Sequence, residues 1–108
     1  MKSDYQVVLC TVPDREIGKK IATYLIEQKL AACCNIVPGV FSVYRWKGQM
    51  EQDNEEMLII KSMPKVFPRL EKAIRQLHPY DVPEIIAIPV ANGANDYLDW
   101  MNQNIEGE

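Results

Sequence analysis

Phe41-Ser42-Val43-Tyr44-Arg45-Trp46-Lys47-Gly48-Gln49-Met50-Glu51-Gln52-Asp53-Asn54-Glu55-Glu56-Met57-Leu58-Ile59-Ile60 is the stretch whose reading decides the fold. It begins with a run rich in β-formers, turns at Lys47-Gly48, and returns through polar residues into an apolar segment. The pattern is a long hairpin with a polar tip and a buried base. Just upstream, Ala32 to Val37 is strand-like and stops at Pro38-Gly39, a bulge or bend from which Phe41 to Trp46 continues the strand.

Helical patterns flank the hairpin. Before it, Ile17, Ile21 and Leu25, with Ala22 between, recur at helical spacing through about Lys29, and Asp14 is placed to cap the helix. After it, Val66, Phe67, Leu70, Ala73, Ile74 and Leu77 repeat at the same spacing. Ser62 is expected to cap this second helix, with Pro64 in its first turn, and Pro79 and Pro83 to end it. The short run Gln6 to Thr11 reads as the first strand, and Glu84 to Val90 as the last central strand. Tyr97, Leu98, Trp100, Met101 and Ile105 mark a short terminal helix.

The order β-α-β-β-α-β predicts an α+β fold: a ferredoxin-like antiparallel sheet with helices on one face, plus the C-terminal helix. Right-handed crossovers make the first two strands parallel to each other and antiparallel to the last two. That topology predicts Cys10, Trp46-Lys47-Gly48, His78 and Glu84 on one edge of the sheet. Cys33, Cys34 and Lys61 fall at the opposite edge.

The chain has 108 residues, the size of a single domain spanning 1–108. A formal net charge of -3 supplies no basic footprint, so nucleic acid is not an expected partner. No apolar run approaches the roughly 20 residues of a membrane span. The N-terminus lacks the apolar core of an export signal, and the three cysteines form no C-x-x-C pair. They read as reduced thiols of a cytoplasmic protein.

His78 is the only histidine, so imidazole chemistry within one chain must use it. Cys10 with His78 would suit copper or zinc, and Glu84 is a candidate third ligand. The competing reading makes Cys10 a small buried hydrophobe and Glu84 a solvated or paired carboxylate. A Cys–His nucleophile pair would also need an orienting group and an oxyanion hole, which the sequence does not mark. Cys33-Cys34 is expected in the core. The cluster Tyr44-Arg45-Trp46-Lys47, with Tyr97 and Trp100, suits ring stacking on a ligand, cross-strand packing or subunit contact. The acidic run Glu51 to Glu56 reads as a solvated hairpin arm.

Several stretches together carry a resemblance: Val8-Leu9-Cys10-Thr11-Val12-Pro13-Asp14, Lys29-Leu30-Ala31-Ala32-Cys33-Cys34-Asn35-Ile36-Val37-Pro38, Ser42 to Gly48, and His78-Pro79-Tyr80-Asp81-Val82-Pro83-Glu84 with Asp96 to Trp100. In this order they resemble the CutA family of divalent-cation tolerance proteins over nearly the whole chain. The resemblance implies a PII-like homotrimer assembled through extended hairpins. It also implies cytoplasmic location, copper(II) binding and a non-catalytic role in copper tolerance. In copper-binding members the ligands are the cysteine of Leu-Cys-Thr and a His-His pair before Pro-Tyr. Cys10 and His78 match two of those positions, whereas Leu77 departs from the third. The alternative is a PII-like trimeric regulator that binds a small molecule or anion between subunits.

Overall fold

The computed structural model describes residues 4–106. Strand β1 is Gln6–Val12, and its even-numbered side chains Val8, Cys10 and Val12 are fully buried. Asp14 then ends the extended run and caps helix α1, Arg15–Glu27: its carboxylate accepts the Ile17 N–H at 2.9 Å. Ile21, Ala22 and Leu25 form the buried face of α1, as their spacing predicts.

Strands β2 (Cys33–Trp46) and β3 (Gln49–Ser62) make the long hairpin. Lys47 and Gly48 carry φ of 51° and 78°, so the two-residue turn has both central residues left-handed. Such a turn matches the twist of the strands it joins. At Pro38-Gly39 the register slips, from Val37 opposite Met57 to Val40 opposite Glu55, which inserts one extra residue in β2. Gly39 absorbs it with φ of 79°, and the missing N–H of Pro38 is tolerated because β2 lies at the sheet edge.

The strand order is β2-β3-β1-β4, all neighbours antiparallel. This is the ferredoxin-like plan, reached as the element order predicts. Strand β1 ends at Val12 opposite Glu56, so β3 before Glu56 pairs with β2 alone and the outer hairpin extends past the sheet. Trp46 is ten residues farther along β2 than Ile36, which is level with Cys10 through Leu58. At the rise of an extended chain that is about 30 Å of strand, so the tip points the same way as the Cys10 end without sitting level with it.

Two expectations need correction. Ser62 does not cap the following helix: its buried hydroxyl donates to the Leu30 carbonyl at 2.6 Å, tying the end of β3 to the loop after α1. The chain instead enters a 3-10 turn at Pro64–Val66, preceded by Met63 with no side-chain cap, and then helix α2, Phe67–Leu77. The last strand, β4, is only Ile86–Pro89, and it is an edge rather than a central strand. Proline is tolerated at an edge because one side of the strand makes no ladder bonds.

Helix α3, Asn95–Gln103, closes the chain, burying Met101 and, just beyond it, Ile105. One hydrophobic cluster joins Val8, Cys10 and Val12 of β1 to Ile21 and Leu25 of α1, Leu58 and Ile60 of β3, and Leu70 and Ile74 of α2. The candidate site lies where β1 leaves this core.

Candidate functional site

Pro79 places His78. A residue before proline is pushed out of the α-helical region, and His78 accordingly has φ -85° and ψ 135° at the C-terminus of α2. Its own N–H still closes the helix on Ile74 O at 2.8 Å, so the ring leaves the helix from a fixed base. It reaches across to β1, where Nε2 lies 2.8 Å from the Thr11 carbonyl oxygen. A carbonyl only accepts, so Nε2 carries the proton. Nδ1 in turn accepts the Tyr80 N–H at 3.2 Å. The ring is the neutral Nε2–H tautomer, with both nitrogens engaged.

Cys10, the preceding residue of β1, meets the same carbonyl, its thiol 3.8 Å from Thr11 O. It has no exposed surface and belongs to the hydrophobic cluster. Burial, then the nearby charges of Glu84, Cys34 and Glu55, push its pKa from 9.0 up to about 12. At neutral pH the side chain is a thiol and not a thiolate. The structure thus brings Cys10 and His78 together, but on a backbone oxygen.

Around this point opens a cleft of about 590 Å³, lined by Thr11 from β1, residues of the hairpin including Tyr44, Trp46 and Glu55, and the segment Pro79 to Glu84. Glu84 therefore sits on the edge where the topology puts it. Glu55 was not singled out by the sequence. It lies in the acidic run read as a solvated arm, yet only 7% of its surface is exposed. Its Oε2 accepts the Tyr80 hydroxyl at 2.7 Å, and burial together with that bond raises the tyrosine pKa. The rest of the run behaves as a solvated arm: Glu51 to Asn54 are exposed, and Asp53 accepts the Tyr44 hydroxyl. Glu56 pairs with Arg15 at 2.9 Å. Glu55 lies one residue past the end of β1, where the arm leaves the sheet and the Tyr80 hydroxyl meets it.

Leu77 does not face the cleft. It lines a separate shallow hollow with Lys19, Lys20, Thr23, Tyr24 and Glu27 of α1. Tyr97 and Trp100 are also elsewhere: their rings pack together on α3 with centroids 5.4 Å apart, and Tyr97 bonds to Cys33 at the far end of β2. There Lys61 contacts Asn35, and burial pushes the Cys34 thiol up to about 12. Both Cys33 and Cys34 are half-buried; Cys34 packs against the hydrophobic cluster, as expected of a core cysteine, whereas Cys33 does not belong to it.

The donor types at Thr11, sulfur and imidazole, are those copper prefers. Their present bonds are not those of a ligand set, because both ring nitrogens and the thiol proton are committed within the chain. Among the described residues no group of three or more His, Cys, Asp or Glu side chains is gathered to hold a metal ion.

Comparison with known proteins gives a consistent answer. Residues 6–104 match the family model described as CutA1 divalent ion tolerance protein. The divalent-cation tolerance protein CutA of Thermus thermophilus is 50% identical over 99 residues, covering 92% of this chain and 96% of that protein. Chloroplastic CutA of Arabidopsis thaliana is 48% identical, over 91% of this chain but 54% of that longer protein. Among solved structures, CutA1 of Oryza sativa superposes with a TM-score of 0.94 at 43% identity, covering 99% of this chain and 98% of that one. A structure described as the periplasmic divalent cation tolerance protein CutA of Archaeoglobus fulgidus gives 0.91 at 34% identity, over 94% and 99% of the two chains. No helix among the described residues is long and apolar enough to cross a membrane. The chain belongs to the CutA1 divalent ion tolerance family.

Proposed function

We propose that this protein serves divalent-cation tolerance by binding copper(II) without catalysing a reaction, with Cys10 and His78 as its protein ligands. The observation that supports this reading is the convergence of a thiol and an imidazole on the Thr11 carbonyl, beside the Glu55 and Glu84 carboxylates. Ligation requires the thiol to lose its proton and the imidazole to exchange a hydrogen bond for the metal. Water or a second copy of the chain completes the coordination, since two ligands do not make a site.

The working unit in this reading is a homotrimer. The outer hairpin exposes Phe41, Val43, Tyr44, Trp46 and Met50, and the edge strand β4 exposes Ile86 and Ile88. Two unpaired strand edges flanked by apolar side chains favour pairing with further copies. Three free thiols, Cys10, Cys33 and Cys34, suit a reducing compartment, which is why we place it in the cytoplasm.

Calorimetric titration with copper(II) tests the metal assignment. Cys10→Ala and His78→Ala are each expected to lower affinity by about tenfold or more, the effect of losing one ligand from a small set. Unchanged stoichiometry and affinity in both variants would refute it.

A further inference from the structure

We infer that Tyr80 is the positioning residue of His78, itself anchored by the buried carboxylate of Glu55. The role bears on function through the copper reading, which it deepens, whereas the contacts that support it need no metal. Residues 78–85 lie in neither helix nor strand, and Pro79 and Pro83 have no N–H to give. No backbone ladder therefore fixes the segment that follows His78, and its hold on the imidazole comes from individual bonds.

Tyr80 touches that ring twice. Its N–H donates to Nδ1 at 3.2 Å, and its own ring packs on the imidazole with centroids 4.6 Å apart and planes tilted by 54°. Its third contact is the anchor: the hydroxyl donates to Glu55 Oε2 at 2.7 Å, 25 residues away on β3. Glu55 follows directly on the residue pairing with Val40 of β2, at the root of the arm, so the loop is tied to a hydrogen-bonded strand. A hydrogen bond onto a carboxylate is about twice as strong as one between neutral groups, and low-dielectric surroundings strengthen it further. Glu55 is buried, and burial followed by this bond holds the phenol pKa above its ordinary value, so the hydroxyl stays a donor near neutral pH. With Tyr80 anchored, its N–H occupies Nδ1 and the proton stays on Nε2, aimed at the Thr11 carbonyl beside the Cys10 thiol. Outer contacts of this kind set the orientation and tautomer of metal-binding histidines. Loss of the anchor frees the Tyr80 N–H from Nδ1 and lets the imidazole turn away from Thr11.

His78 is the only histidine, so the metal-free protein in EDTA has one imidazole N–H to follow by nitrogen-edited NMR. In the wild type this Nε2 proton should be observed and protected from exchange with water. Tyr80→Phe removes only the hydroxyl and should speed exchange about tenfold, the loss of one charge-assisted bond. Glu55→Gln keeps a neutral acceptor and should give a smaller rise, about threefold. The double variant should exchange no faster than Tyr80→Phe, because both residues act through one bond. Ser62→Ala loses a buried bond at the end of β3 away from the arm, and should leave the His78 proton unchanged even where overall stability falls. Copper(II) titration is the second readout: Tyr80→Phe should weaken binding about tenfold with His78 itself intact. An unprotected proton in the wild type, an equal rise in Ser62→Ala, multiplied effects in the double variant, or unchanged copper affinity in Tyr80→Phe would overturn the inference. A wild type that binds no copper refutes the copper reading alone, and the exchange rates then decide whether Tyr80 positions His78.

Discussion

Thr11 offers only a backbone oxygen, yet a thiol from β1 and an imidazole from the end of α2 both turn toward it. That shared acceptor explains why Cys10 supports two readings at once. By burial it is a core side chain, and by neighbourhood it belongs to a polar site. The position of His78 was legible from sequence, because Pro79 forces it out of the helix and the topology aims that helix end at β1. The state of its ring nitrogens was not, since it depends on which backbone groups happen to face them. Glu55 was illegible for a related reason: most of its sequence neighbours are solvated, and its partner is Tyr80, a residue distant in sequence. The buried thiols carry a measurable consequence. A thiol held neutral in the fold keeps its proton where the unfolded chain has lost it. Its contribution to stability is therefore fully present below pH 9.0 and is lost as pH climbs toward about 12. Urea unfolding at a series of pH values should show a plateau below 9 and a decline above it, shallower in Cys10→Ala. A decline of equal steepness in that variant would assign the slope to other groups.

At the level of elements, the hairpin depends on a few backbone positions with left-handed torsions. Gly39 is the clearest case, with φ of 79° and open space around the position a Cβ would take. Gly39→Ala is therefore expected to destabilise through backbone strain alone, by about 1 kcal/mol, read as a lower denaturation midpoint at unchanged m-value. No loss would mean the bulge relaxes at no cost. The hairpin and both long helices were readable because each carries a periodic pattern and a turn or cap signal. Strand β4 misled because Ile85-Ile86-Ala87-Ile88 is as apolar as a central strand. Its exposure, with Ile86 at 53% and Ile88 at 48%, belongs to an isolated subunit and makes sense if another copy covers it. Ser62 misled because a serine before a proline-started helix fits a cap, whereas its hydroxyl is taken by a carbonyl distant in sequence.

For the whole molecule, shape and surface point the same way. The described residues measure 43 × 28 × 23 Å, elongated by an arm whose outer half has, among those residues, no partner strand except its own return. Light scattering of the purified protein should give about three times the 12.4 kDa subunit mass. Phe41→Asp combined with Ile88→Asp should shift it toward the monomer, and a monomeric wild type would contradict the trimer. The proposed trimer also bears on the proposed copper site, because a second copy would be one source of the ligands that Cys10 and His78 lack. The most direct measurement is a crystal structure of the copper-loaded protein with data collected at the copper absorption edge. Copper held as proposed should give an anomalous peak bonded to Cys10 Sγ and a ring nitrogen of His78, with one of the ring's present hydrogen bonds broken. A peak at Cys33 and Cys34, at the cleft carboxylates alone, or no peak at all would contradict it.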